Sequence, residues 1–202
     1  APVPITPKIA ERLANTSKII AIGAATGGPA AIAAILTRLP KGMPPVLVVQ
    51  HKPSHFLNAF ANRLNEICAL EVKIAQNMEP VSAGKVFLAP GNQHMVLQKK
   101  GNDYITVVKD GPLVLHQRPS IEVLFRSVAM YAGPEAIGVI LTGMGKDGAQ
   151  GLLDMRNAGA FTLAQDEASC AVYGMPKEAI ALDAVDLEAS LEEIPRLLLE
   201  HL

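Results

Sequence analysis

The chain has no tryptophan, only 4% aromatic residues, and two cysteines, Cys68 and Cys170. Two thiols in 202 residues make no disulfide framework, so both read as reduced, buried side chains of a cytoplasmic protein. An excess of one charge is also missing, since 18 Lys and Arg face 19 Asp and Glu. That balance argues against a nucleic-acid binder held by phosphate contacts. No apolar run reaches about 18 residues and no charged segment precedes a short apolar one, so neither a membrane span nor a signal peptide is expected. What is present is aliphatic. Half of the residues are apolar, and with so few aromatics the core must be Ala, Val, Ile and Leu, as in parallel sheets covered by helices. The length suits one domain with a sizeable core.

The stretch Lys18-Ile-Ile-Ala-Ile-Gly-Ala-Ala-Thr-Gly-Gly-Pro29 organises the rest. Its apolar run has no helical spacing and suits a strand buried on both faces. Gly23, Gly27 and Gly28 permit a tight turn, and Pro29 fits a first helical position. Ile32, Ile35, Leu36 and Leu39 then mark one face of a helix that Pro40 and Gly42 end. A strand, a glycine turn and a helix N-terminus point free N–H groups at whatever lies above the turn. The dinucleotide fingerprint fails because Ala25 stands where its second glycine belongs, and the P-loop fails because Pro29 follows Gly28. The turn is shaped like a nucleophile elbow, but its apex residue, Ala25, carries no nucleophile.

Further along, strands are expected over 46–50, 71–75, 85–89, 136–141 and 160–164. A helix over 54–68 should bury Phe56, Phe60, Leu64 and Ile67, and one from Pro119 should bury Ile121, Leu124, Val128 and Met130. Residues 95–99 and 104–109 read as an antiparallel hairpin around Gly101-Asn102. Helices are also expected up to Asn157, with Gly159 at its C′ position, over 176–181, and over 187–202 with an interruption at Pro195. Residues 1–17 have no periodic start and read as an interdomain linker, leaving 18–202 as the domain. The fold class is therefore α/β: a doubly wound, mostly parallel sheet flanked by helices, with an inserted antiparallel hairpin.

Three loops follow the carboxyl ends of apolar strands, the edge where open α/β sheets bind ligands. They present Ala25, His51 and Asp147. A serine at position 25 would complete a nucleophile, base and orienting carboxylate from three strand ends. Blander readings exist for each residue. Asp147 precedes Gly-Ala and an apolar helix and could simply cap it. His51 and His55 have the spacing of metal ligands, but Pro53 lies between them and no acidic partner follows, so no metal or cofactor is expected. Cys170, among apolar neighbours, reads as packing.

Gly23-Ala-Ala-Thr-Gly-Gly28, Gln50-His-Lys-Pro53, Ala89-Pro-Gly-Asn-Gln-His-Met95, Arg118-Pro-Ser120, Leu141-Thr-Gly-Met-Gly-Lys-Asp-Gly-Ala149 and Gln165-Asp-Glu-Ala-Ser-Cys170 with Gly174-Met-Pro176 follow one another in the chain. This series resembles the catalytic domain of the CheB-type protein-glutamate methylesterases of bacterial chemotaxis. The resemblance implies hydrolysis of glutamate γ-methyl esters, and deamidation of some glutamines, on chemoreceptor cytoplasmic helices. It also implies His51 as general base, Asp147 as its orienter, Met144 N–H at the oxyanion with Thr26 beside the nucleophile, and an N-terminal receiver domain joined through residues 1–17. Family members read G-A-S-T-G-G at the turn, so Ala25 stands in the nucleophilic position and the chain as written should be inactive. Two origins stay open: a Ser→Ala substitution, which the intact His51 and Asp147 favour, or a natural module that binds receptors without turnover. Arg63, Arg118 and Arg126 read as solvated charges, with contact to an acidic receptor helix as the alternative.

Overall fold

The computed structural model describes residues Ala1–Leu202. The N-terminal half runs α1 (Pro7–Asn15), β1 (Ile19–Ala24), α2 (Gly28–Leu36), β2 (Val46–Gln50), α3 (Ser54–Ile67), β3 (Glu71–Ile74), β4 (Glu79–Pro80), β5 (Lys85–Leu88), β6 (His94–Lys100) and β7 (Asp103–Lys109). The C-terminal half runs α4 (Ile121–Tyr131), β8 (Ala136–Ile140), α5 (Ala149–Asn157), β9 (Phe161–Gln165), α6 (Met175–Ala181), β10 (Leu187–Ala189) and α7 (Ile194–Glu200).

Seven strands form one sheet in the order β10-β9-β8-β1-β2-β5-β3, and every pairing in it is parallel. From β1 the chain builds one side through β2 and the edge strand β3, with β5 returning between them, and then crosses to build the other side from β8 outward, so the switch point lies between β1 and β8. Along β1, Ile20, Ile22 and Ala24 enter the apolar layer under α1, α2, α3 and α7. Ile19 and Ala21 alternate into the opposite layer, with α4, α5, α6 and β6. This two-sided burial explains the unbroken apolar runs, each fully buried Ile or Leu contributing about 1.5–3 kcal/mol. The expected hairpin is β6–β7, paired from His94↔Lys109 to Lys100↔Asp103, and β4 joins it to make a second, antiparallel sheet. No helix is long and apolar enough to cross a membrane.

Several expectations are corrected. Residues 1–17 contain α1, whose N-terminus is capped by Thr6 Oγ1 accepting from Ile9 N–H at 3.2 Å, and Val3 and Ile9 enter the core. The helix was missed because only Ile9 and Leu13 mark its apolar side. The single terminal helix over 187–202 does not exist. Residues 187–189 extend the sheet as β10 beside β9, and Pro195 interrupts nothing because it sits in the first turn of α7. In α4, Phe125 takes the buried place expected for Met130, which is 76% exposed. In α3 the buried set is Leu57, Phe60, Ala61 and Leu64, while Ile67 is exposed and Phe56 half-buried beneath the Lys52 ammonium.

Ile121, the first residue of α4, is seated over the end of β1. A Cβ at Gly23 would lie 2.3 Å from Ile121 Cγ2, and one at Gly148, whose φ is +93°, would lie 2.5 Å from the same atom. The two glycines thus let the start of α4 descend onto the switch point. Gly23→Ala is expected to push that helix end outward at about 1–3 kcal/mol, the usual range for overpacking. Circular-dichroism melting should show a midpoint lower by roughly 2–12 °C in a domain of this size.

Candidate active site

The chain turns sharply after β1. Ala25 carbonyl accepts from Gly28 N–H at 2.8 Å, and Gly27 at φ +81°, ψ 0° has the conformation that the third residue of a type II turn requires. Neighbouring strand ends fix the apex from both sides. Ala25 N–H donates to Thr142 carbonyl at 3.0 Å, and the buried Gln50 amide donates from Nε2 to Ala25 carbonyl at 2.8 Å. Thr142 Oγ1 donates to Thr26 carbonyl at 2.9 Å, while Thr142 N–H donates to Gln165 Oε1, also at 2.9 Å. Gly143 approaches so closely that a Cβ there would lie 2.7 Å from Ala25 Cβ.

His51 follows β2, and Asp147 lies in the loop after β8. Their side chains meet at 2.6 Å, His51 Nε2 to Asp147 Oδ2. A carboxylate can only accept, so Nε2 carries the proton and the lone pair of His51 resides on Nδ1. Asp147, only 3% exposed, takes three further hydrogen bonds. Oδ2 accepts from Ile121 N–H at 2.8 Å, and Oδ1 accepts from Glu122 N–H at 3.0 Å and Ser120 Oγ–H at 2.7 Å. Asp147 therefore does not cap the helix that follows it, whose N-cap is Gly148. It caps α4 instead, where backbone N–H groups and the helix dipole favour a negative charge.

Ala25, Thr26, His51, Met144 and Asp147 all line one open cleft of about 590 Å³. The N–H groups of Thr26 and Met144 donate to no protein atom. Lys52 and Lys146 also line the cleft, and neither forms an ion pair. Sequence reasoning missed Ser120, Glu122 and Gln50 as parts of the site. For Ser120 the available signal was a serine just before an apolar helical repeat. Among the other candidates, Arg118 has no acidic partner but its guanidinium is held in place: it donates to Asn92 Oδ1 from Nε at 3.2 Å and Nη2 at 2.7 Å, and to Gly111 carbonyl from Nη1 at 2.7 Å. Arg126 pairs with Glu122 and Asp154, and Arg63 is exposed. Burial pushes the Cys68 and Cys170 thiols up to about 11, so neither is a thiolate near neutrality.

A hydrogen-bonded imidazole and carboxylate beside a glycine turn, at the carboxyl edge of a doubly wound sheet, form the frame on which triad hydrolases are built. The comparisons narrow this class. The chain belongs to the CheB methylesterase family, which it matches over residues 20–198. It is 53% identical over 188 residues, 93% of its length, to protein-glutamate methylesterase/protein-glutamine glutaminase 2 of Hahella chejuensis, covering 51% of that protein. The corresponding Paraburkholderia xenovorans protein is 52% identical over 202 residues, all of this chain and 56% of the relative. The chain thus spans about half the length of the curated relatives it matches. The crystal structure of the Thermotoga maritima CheB methylesterase catalytic domain superposes with a TM-score of 0.90 at 35% identity, covering 93% of this chain and 100% of that one.

Glu122 sits beside this network. Its Oε1 accepts from Gly151 N–H at 2.9 Å, and Oε2 lies 3.0 Å from Arg126 Nε in an ion pair off the axis of a hydrogen bond. Burial raises its pKa above the ordinary carboxylate range; the Gly151 N–H and Arg126 oppose that rise, while Asp147 and Asp154 add to it. A carboxyl raised on folding contributes stability that is present below its ordinary range and lost as pH rises through the raised value. Glu122→Gln keeps an acceptor for Gly151 N–H and removes this loss. The difference in urea midpoint, variant minus parent, should therefore grow as pH is raised from about 4 toward neutrality.

Proposed function

We propose that this chain is the hydrolase domain of a protein-glutamate methylesterase whose nucleophilic position is occupied by Ala25. The observation that carries the reading is the His51–Asp147 pair, held at 2.6 Å and opening on the same cleft as the glycine turn. With serine at position 25, His51 Nδ1 would accept the hydroxyl proton while Oγ attacks the γ-ester carbonyl. The N–H groups of Thr26 and Met144 would donate to the oxyanion. Methanol would leave with the proton returned by His51, and water, activated by the same nitrogen, would release glutamate and the serine hydroxyl. Asp147 would keep the ring oriented and its charge opposite the imidazolium. The same steps on a glutamine amide would release ammonia, the second activity in the relatives' names.

The substrate would be a methylated side chain on chemoreceptor cytoplasmic helices. Lys52 and Lys146 support that assignment because they suit acidic groups flanking the ester. A receiver domain N-terminal to α1 would regulate access, as the family resemblance implies and as the half-length match to the relatives allows. Ala25 itself favours one rival, a receptor-binding module without turnover, because alanine cannot form an acyl-enzyme.

Ala25→Ser decides between the two. Loss of a triad serine costs on the order of 10⁶ in turnover, so restoring it should raise methanol release from methylated receptor membranes by roughly 10³-fold or more. Binding of those membranes by both proteins, with turnover by neither, would leave the binding module as the correct reading.

A further inference from the structure

We propose that Ser120, itself fixed by His94, is a positioning residue for the His51–Asp147 pair. Ser120 occupies the N-cap of α4 with extended backbone at φ −106°, ψ 135°. A serine there ordinarily accepts an N–H from its own helix, yet no such bond reaches this side chain. Asp147 accepts the first-turn N–H groups instead, and the Ser120 hydroxyl donates to that carboxylate at 2.7 Å. The usual direction of the cap is reversed: serine is the donor, and its partner is the group that holds His51.

The backbone of Ser120 is anchored from the second sheet. Ser120 N–H lies 3.2 Å from Nδ1 of the buried His94 on β6, and His94 Nε2 lies 2.8 Å from Pro112 carbonyl. A carbonyl can only accept, so the His94 proton is on Nε2 and its lone pair faces the Ser120 N–H. A continuous series of groups thus runs from Pro112 through His94, Ser120 and Asp147 to His51. Apart from His51, Ser120 is the only side chain bonded to Asp147. Without the hydroxyl, Oδ1 would keep one N–H and the carboxylate could rotate about its Cβ–Cγ bond. Oδ2 would move with it and carry the His51 ring away from position 25. The upper bound on that effect is loss of the orienting carboxylate itself, about 10⁴ in turnover.

The inference rests on the proposed hydrolase reading only for its kinetic readout. In the unaltered chain, the proton shared by His51 Nε2 and Asp147 should give a low-field, slowly exchanging NMR resonance, and Ser120→Ala should shift it upfield or broaden it. In an Ala25→Ser background, Ser120→Ala should lower kcat about 10-fold with KM unchanged, kcat being taken per folded molecule from an active-site titration or a urea-melt baseline, because partial unfolding alone would also lower the apparent kcat. His94→Asn keeps an acceptor where Nδ1 lies, whereas His94→Gln keeps only a donor where Nε2 lies. The Asn variant should retain more of kcat, and the pair carries both readouts if Ser120→Ala does not fold.

An unchanged resonance, a loss confined to KM, or equal kcat in the two His94 variants would overturn the proposal. If Ala25→Ser hydrolyses nothing, the hydrolase reading fails by itself. The resonance then decides alone: its loss in Ser120→Ala upholds the positioning role, and its persistence refutes it.

Discussion

The carboxylate of Asp147 is the group on which the rest of this site depends. It is almost fully buried and receives four hydrogen bonds, from His51, Ser120, Ile121 and Glu122. A buried charge without such partners costs several kcal/mol, so the carboxylate and its donors must arrive together. Three of those donors belong to the N-cap and the first two residues of α4. The placement of one helix end therefore fixes the orientation of an imidazole on a different strand. The same arrangement gives α4 the negative charge that its N-terminus favours.

The fold is shaped to bring that helix end down. Gly23 and Gly148 leave room for Ile121 above β1, and β6 of the antiparallel sheet holds Ser120 through His94. From the two strands that flank β1, Gln50 and Thr142 clamp the turn at position 25. The Gln50 side chain is fully buried, and no protein donor reaches its Oε1. The same amide secures the apex through its nitrogen. The His51–Asp147 pair and the glycine turn are thus assembled around a position that carries only a methyl group.

The strands of the parallel sheet were legible because burial on both faces leaves continuous apolar runs, as in Val46–Gln50 and Ala136–Ile140. His51 and Asp147 were legible for a related reason: each follows such a run, at the edge where open sheets place ligands. Less visible were features decided by distant packing. Phe125 rather than Met130 is the exception, because with Ile121, Leu124 and Val128 it completes an i, i+3, i+4, i+7 stripe that local spacing does encode, whereas residue 130 lies off that stripe. Residues 187–189 became a strand because the edge of β9 was open to pairing. Arg118 reads as a solvated, unfixed side chain until Asn92 and the Gly111 carbonyl are brought beside it. The roles of Ser120, His94 and Glu122 arise from contacts 25–29 residues apart, which no local pattern encodes.

The central claim is that His51, oriented by Asp147, is a working base for a nucleophile at position 25. It is tested most directly by treating Ala25→Ser with a fluorophosphonate, a reagent for activated serines that needs no receptor substrate, and locating the adduct by mass spectrometry. The account predicts one adduct, on residue 25, formed quickly in that protein and at least about 10³-fold more slowly when His51→Ala or Asp147→Asn is added. A serine at position 25 that stays unmodified, or that reacts equally fast without His51, would contradict it.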